Sequence, residues 1–458
     1  MNTSSSLAEQ LEALEPTFSG KLLSPNDEGY EEARKLHNGL IDKRPAVIAR
    51  CAGVADVVDA VNLGRRCDLE IAIRGGGHNV AGRATVDDGL MIDLSPMKGI
   101  YVDPGKRTVI AQGGVTWEEL NRETQVHGLA TPGGTIATTG IAGLTLGGGI
   151  GWLIGKFGLA LDSLLSVELV DAEGRVLRAS ASEHPDVFWA LRGGGGNFGV
   201  ATSLEYQLHP VGPDITGGLI AHAFENAGDV LRFFRDTTQS LPDDLSMLAG
   251  LLYAPDGSGA KIVGIGACHI GSVQEGEAAI QPIKAFGTPV MDVMGPISYC
   301  QLNTMMDGLF PKGALNYWKS SFVSDLSDAA IDTIIEQFQK VPSPMSKLFL
   351  ENLQGAVTRI PVGDTAFPHR RQGYNLLVIS QWQDPSDTER CIAWARETHD
   401  AMQPFLSPGR YVNYLGDDEG SGPVADAYGA NFERLRKIKT EYDPKNLFHL
   451  NQNIEPLA

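Results

Sequence analysis

A histidine directly after three glycines, in Arg74-Gly-Gly-Gly-His78-Asn79, is the most chemically suggestive feature of this sequence. Bare glycine backbone lets N–H groups approach an anion closely, and a neutral imidazole beside them is a nucleophile. A second triplet, Gly147 to Gly149, lies in Thr139-Gly-Ile-Ala-Gly-Leu-Thr-Leu-Gly-Gly-Gly-Ile-Gly151-Trp152. The two loops suit a pyrophosphate nest. Tight turns in an all-β region are the plainer explanation, but they leave a basic residue and a histidine around the first triplet unexplained. A third cluster holds a formal GxGxxG at Gly194, Gly196 and Gly199. A dinucleotide fingerprint follows a strand and opens a helix. Here a helical stretch, Pro185 to Leu191, comes first and a strand beginning at Val200 comes after, so the Rossmann reading fails. No GxxxxGK(S/T) is present, which excludes a P-loop.

Other reactive side chains are weaker signals. The histidines show no HExxH or comparable pairing, so no metal site is expected. Glu351 sits in Leu348-Phe-Leu-Glu-Asn-Leu-Gln-Gly355, where alternation sends Leu348, Leu350 and Asn352 one way and Glu351 the other. A carboxylate in an apolar strand faces either solvent or a cavity. Tyr411 and Asn413, taken alone, read as a β-edge tyrosine and a turn asparagine. The five cysteines (Cys51, Cys67, Cys268, Cys300, Cys391) are odd in number and lack a CxxC pattern. They read as free thiols in a reducing cytoplasm.

The elements that must position these groups form two kinds of pattern. Ala46 to Cys51 reads as a strand, Val54 to Arg66 as a helix with Val54, Val57, Val58 and Val61 on one stripe, and Leu69 to Ile73 as a second strand. That β-α-β opening runs into Arg74. A strand near Thr108 to Ala111 precedes a helix opened by the capping box Thr116-Trp-Glu-Glu119 and ended by Gly128. Ser166 to Ser180 reads as a hairpin turning at Asp171-Ala-Glu-Gly174. After Pro210-Val-Gly-Pro213 the order strand, helix, strand, strand, helix is expected near 217–223, 229–240, 246–254, 261–269 and 273–285. It recurs near 317–323, 327–341, 345–354, 374–382 and 387–404. A repeated βαββα unit predicts one large antiparallel sheet with helices on a single face. The last helix, spaced by Tyr428, Phe432, Leu435 and Ile438, stops before Asp443-Pro444.

Bulk properties agree with a two-domain globular chain: 458 residues, 42% hydrophobic and 20% charged. With 37 Lys and Arg against 56 Asp and Glu, the formal charge is −19, which argues against nucleic acid and anionic membrane as partners. No apolar run reaches membrane-span length, and the N-terminus lacks the pattern of a signal peptide. A cytoplasmic monomer or homodimer is expected.

In combination, Arg74 to Asn79, Thr139 to Trp152 and Gly195-Gly-Asn-Phe-Gly-Val200 resemble the FAD-binding domain of the vanillyl-alcohol-oxidase (PCMH) type. Tyr411-Val-Asn413 and Phe448-His-Leu-Asn-Gln-Asn-Ile454 resemble its berberine-bridge-enzyme subgroup. The resemblance implies an α+β fold, with an FAD-binding domain over 1–212, a substrate-binding domain over 213–409 and a return segment over 410–458. It implies FAD held by His78 through a single covalent bond to the flavin 8α carbon, where hydrogen bonding to phosphate or backbone is the lesser alternative. Relatives often carry a second bond from a cysteine at the place occupied here by Ile136. Cofactor contacts carry over to Arg74, Gly75, Gly76, Gly77, Asn79, Thr138, Thr139, Gly140, Gly143, Leu144, Gly148, Gly149, Gly151, Gly199, Val200, Asn451 and Asn453. Oxidising a C–H bond next to O–H or N–H needs a hydride acceptor and a destination for the proton. Tyr411, Asn413 and Glu351 are the implied catalytic groups, with a two-residue register slip open at Gln354-Gly355. Thr139 falls where oxygen access is gated, and its small size favours an oxidase that uses O2 to oxidise a small organic substrate. A same-fold dehydrogenase and a catalytically silent flavin-binding protein are the rivals. Trp152 is either a wall of the substrate pocket or a core tryptophan.

Overall fold

The computed structural model describes residues 6–418 and 421–457. The opening β-α-β unit is present. Val47–Arg50 and Ile71–Arg74 both pair in parallel with Leu90–Asp93, and Lys21–Leu23 adds an antiparallel edge to Val47–Arg50. The helix Val54–Cys67 covers this sheet through fully buried Val57, Ala60, Val61 and Leu63. Burying each such branched side chain stabilises the unit by roughly 1.5–3 kcal/mol. Arg74 is therefore the last residue of a strand, and the glycine triplet leaves the sheet at its carboxyl end.

A five-stranded antiparallel sheet follows, ordered Ile100–Asp103, Thr108–Gln112, Val200–Gln207, Leu164–Val170, Val176–Ser180. The last two strands are the expected hairpin. The helix Trp117–Gln125 has the complete capping box between Thr116 and Glu119. Pro185–Leu191 is helical and precedes the Val200 strand, which is the inverted order that excluded a Rossmann motif.

The third sheet is large, and its strand pairs are all antiparallel. The expected βαββα unit occurs twice, as Asp214–Ala223, Ala227–Thr238, Leu245–Tyr253, Lys261–His269 and Val273–Lys284, then Leu315–Val323, Asp328–Gln339, Lys347–Leu353, Gly373–Trp382 and Thr388–Met402. Spatially the first unit runs 214, 261, 245 and the second 347, 373, 315, so the two mirror each other across the Leu245–Tyr253/Lys347–Leu353 seam. Leu348 and Leu350 point to the helix side, into a core with Ile331, Ile334 and Phe338. Phe349 points to the other face, where it meets Phe310, Leu377 and Ile379. At one end that face carries the short helix Tyr299–Thr304, whose Leu302 packs with Leu248 and Cys268, and elsewhere it turns toward the glycine loops. Between the units, Met291–Asp292, Gly295–Ser298 and the helix Tyr299–Thr304 form an insertion that the sequence patterns did not announce.

Among the described residues no helix is long and apolar enough to cross a membrane. Among the described residues, too, no cluster of three or more His, Cys, Asp or Glu could hold a metal. All five cysteines are free.

Candidate active site

The Phe349 face of the large sheet and the first glycine loop enclose a cavity of ≈ 200 Å³. Gly75 to Asn79, Thr139, Gly140, Gly143 and Leu144 line one side, and Phe310, Trp318, Phe349, Glu351 and Tyr414 line the other. A second cavity of ≈ 170 Å³ shares Ile73, Gly75, Asn79, Ala84, Gly143 and Asn413 with the first. It extends past Arg83, Gly195, Gly196, Asn197 and Gly199 to Asn451. Together they make one elongated trough, aromatic and acidic at one end, with glycine loops and an arginine at the other.

His78 is fixed on two sides. Its Nε2 lies 2.9 Å from the Thr138 hydroxyl, and its ring stacks on His37 with centroids 3.9 Å apart and planes at 23°. Nδ1 is 3.5 Å from the Thr139 hydroxyl, so the two ring nitrogens face neighbouring threonine hydroxyls, Thr138 at Nε2 closely and Thr139 at Nδ1 weakly. Burial, with a smaller push from His37, lowers the imidazole pKa to about 3, which keeps His78 neutral. His37 carries no motif, and nothing in the sequence singled it out.

Why glycine is needed here is a matter of close approach. The backbones of Gly76 and Gly140 touch: a Cβ on either would stand 2.4 Å from the other's amide nitrogen. The second triplet has a different use from the anion nest expected of it. A Cβ at Gly147 would lie 2.1 Å from Asn413 Oδ1, and one at Gly148 would lie 2.8 Å from the Tyr411 ring. Gly147 and Gly148 thus make room for the return segment, and Gly149 for Ala160 and Leu144, all three outside the lining of the two cavities. Gly151 packs on the Gly133 carbonyl and edges a side pocket. Arg74 also points away from the trough. Its guanidinium donates to the Ala33 carbonyl and pairs with Asp93. Val200 is fully buried in its strand, and Gly199 alone of that pair reaches the second cavity.

The structure separates the candidate proton acceptors. Tyr411 is buried at 1% exposure, its hydroxyl oxygen accepts hydrogen bonds from Gly149 N–H and Asn413 Nδ2, both at 2.9 Å, and burial pushes its pKa up to about 12. It braces the second triplet and does not line the cavity. Asn413 does line it, with Nδ2 also donating to the Leu144 carbonyl at 3.0 Å. The residue that faces the cavity is Tyr414, one 3₁₀ turn on, whose hydroxyl donates to Glu351 Oε1 at 3.2 Å. Asn375, directly across the strand pair, donates to Oε2 at 2.7 Å. Burial outweighs both bonds and raises the Glu351 pKa to about 7. A buried carboxyl poised near neutrality at a cavity wall is what proton transfer in neutral solution requires. Glu351 itself lines the cavity, so the suspected slip at Gln354 does not displace it.

Thr139 lines the main cavity, and Thr138 meets it through His78. Trp152 does not wall the main cavity. It is 2% exposed in a core with Leu248 and Leu302, and its edge reaches only the ≈ 20 Å³ side pocket beside Glu351. Asn79, Asn451 and Asn453 each keep a buried side-chain oxygen without a partner. Asn79 and Asn451 line the second cavity, where a ligand rich in donors would satisfy them.

The comparisons with known proteins agree with this arrangement. Residues 45–180 match the family described as an FAD binding domain, and residues 410–455 the one described as berberine and berberine like. An FAD-linked oxidoreductase of Dictyostelium discoideum is 31% identical over 94% of this chain and 93% of its own. The (R)-6-hydroxynicotine oxidase of Paenarthrobacter nicotinovorans is also 31% identical, over 96% of this chain and 97% of its own. A crystal structure of 6-hydroxy-D-nicotine oxidase from Arthrobacter nicotinovorans superposes with a TM-score of 0.87 at 29% identity, covering 96% of this chain and 99% of that one. The chain belongs to the FAD-linked oxidoreductases of the berberine-bridge-enzyme type.

Proposed function

We propose that this protein is an oxidase that carries FAD on one covalent bond from His78, oxidises a small organic alcohol or amine, and returns the electrons to O2 as hydrogen peroxide. The observation that carries the reading is a single cavity lined by both a neutral, two-sidedly held histidine and a buried carboxyl with a pKa of about 7. Bound FAD supplies the hydride acceptor and the route of electrons to oxygen.

In this reading, residues 1–212 and 410–458 hold the cofactor and residues 213–409 bind substrate. Gly75 to Gly77, Asn79, Thr138 to Gly140, Gly143, Leu144, Gly199 and Asn451 are the holding groups, and Asn453 supports them. His78 presents Nδ1 while Thr138 engages Nε2. Ile136, where a cysteine would give a second attachment, lines the cavity, and no cysteine does. Glu351 accepts the substrate proton, and Tyr414 and Asn375, by donating to its two oxygens, orient the carboxylate and favour its ionised form beforehand. Thr139 leaves room beside the reacting position.

The test is chemical. Acid-precipitated protein should stay yellow, a flavin-bearing peptide should contain His78, and His78→Ala should release its flavin on denaturation. A colour that survives denaturation in His78→Ala rules out the attachment. Peroxide formed in air in proportion to substrate consumed supports the oxidase, whereas turnover only with an added quinone favours a dehydrogenase.

A further inference from the structure

The strand Leu315–Val323 forms one edge of the large sheet, beside Gly373–Trp382. Alternation sends Trp318 into the main cavity and Tyr317 and Lys319 to the helix side. The return segment grips this strand from both faces. Before the crossing, Tyr414 sets its ring edge-on to Trp318, with centroids 5.9 Å apart, and its hydroxyl on Glu351. After it, the Asp418 carboxylate accepts from the Tyr317 hydroxyl at 2.6 Å, Arg396 Nη2 at 2.7 Å and Lys319 Nζ at 3.2 Å. Arg396, from the helix Thr388–Met402, also donates through Nε to the Tyr317 hydroxyl oxygen at 2.9 Å. Burial works against the charge on Asp418, but these donors overcome it and hold the pKa at about 2. The grip is therefore ionic at any pH where the enzyme would work. Only four residues make the crossing, at most about 14 Å of extended chain. Leu415 and Gly416 are buried within it, and Asp417 pairs with Arg83 at 3.2 Å.

We infer that Asp418 is a positioning residue: by pinning the far end of this short crossing, it holds the Tyr414 hydroxyl on Glu351. The inference rests on the reading of Glu351 as acceptor of the substrate proton. A crossing with little slack passes any freedom at Asp418 on to Tyr414, whose 3.2 Å bond is the longer of the two that the Glu351 carboxylate accepts. The other titratable groups around Glu351 are Tyr411, and Lys347 four residues back on its own strand, which is engaged with the Leu309 carbonyl and Gln381. The sign of the effect separates position from charge. A carboxylate raises the pKa of a nearby carboxyl, so removing its charge alone would lower that pKa. Losing the Tyr414 bond raises it instead.

Infrared pH titration of the holoenzyme reads the Glu351 carboxyl directly, as the protonated C=O band that Glu351→Gln lacks. Asp418→Ala should move its midpoint up by about half to one pH unit, and Tyr414→Phe by about one unit or more, as expected for a bond to a charged group. Adding Asp418→Ala to Tyr414→Phe should shift the midpoint no further. Should Asp418→Ala fold poorly, Tyr317→Phe, which removes the hydroxyl shared by Asp418 and Arg396, should give the same upward shift. A midpoint at or below the parent's in Asp418→Ala and Tyr317→Phe overturns the inference. So does an upward shift of undiminished size when Asp418→Ala is added to Tyr414→Phe. Flavin reduction in Glu351→Gln reads the proton-accepting role separately, so either claim can fail while the other stands.

Discussion

Two imidazole rings 3.9 Å apart strongly disfavour both being imidazolium at once, because unit charges at that separation repel by about 4 kcal/mol at an effective dielectric of 20. His37 therefore does two things for His78: it clamps one ring face and helps keep the ring neutral. His37→Ala should lower the share of flavin that survives acid precipitation, and His37→Phe, which keeps a stacked ring, should retain most of it. Equal shares in both variants and the parent would remove His37 from the attachment. The Tyr411 and Tyr414 hydroxyls make a second pair of opposed expectations. Tyr414 donates to the Glu351 carboxylate and so favours its charged form. Tyr414→Phe should raise the Glu351 pKa and move the acidic limb of flavin reduction to higher pH. Tyr411→Phe instead strips the Gly149 amide of its partner. It should cost about 1–3 kcal/mol in denaturant unfolding and leave the limb in place. A shifted limb in Tyr411→Phe, with none in Tyr414→Phe, would reverse the assignment.

Among the elements, those with strong periodicity were legible in the sequence, and those assembled by pairing were not. Both βαββα units fall within a few residues of their expected spans, because amphipathic helices and alternating strands write their period into the chain. Glu351 was found for the same reason, since alternation alone separates it from Leu348 and Leu350. Its partner Asn375 comes from strand register, and the aromatic side of the cavity draws on the segment after the insertion, two strands and a 3₁₀ turn, so no local pattern announces either. Tyr414 was within reach, three residues past Tyr411, but only the 3₁₀ turn reveals which tyrosine faces the cavity. The second glycine triplet misled for a physical reason: bare backbone admits a neighbouring side chain as readily as an anion. Gly147→Ala accordingly should push on Asn413 and reduce flavin content and stability together. A variant with unchanged flavin loading would show that Asn413 can move aside at no cost.

Across the whole molecule, the glycine loops and the large sheet are locked together by buried polar contacts. Arg370 makes a two-pronged bond to Asp162, at 2.7 and 2.8 Å, with both side chains nearly inaccessible. Asn38 bonds both the Val80 carbonyl beyond His78 and the Asn316 carbonyl in the sheet. Arg370→Met would leave Asp162 buried and unpaired, and should destabilise the protein by roughly 3–5 kcal/mol in equilibrium denaturation. A loss under about 1 kcal/mol would mean that water reaches the pair as it does a surface ion pair. Such rigidity matters because the cavity takes its histidine from one unit and its carboxyl from the other, so chemistry requires the two to keep their spacing. The pH dependence of anaerobic flavin reduction by substrate reads that combination most directly, with flavin loading matched between the parent and Glu351→Gln. A carboxyl accepts a proton only when ionised, so the parent rate should rise with pH through about 7 and level off above it. In Glu351→Gln the plateau should drop by ~10²–10⁴-fold and the limb should vanish. Parent-like rates with an unchanged limb in Glu351→Gln would contradict the assignment of the substrate proton to this carboxylate.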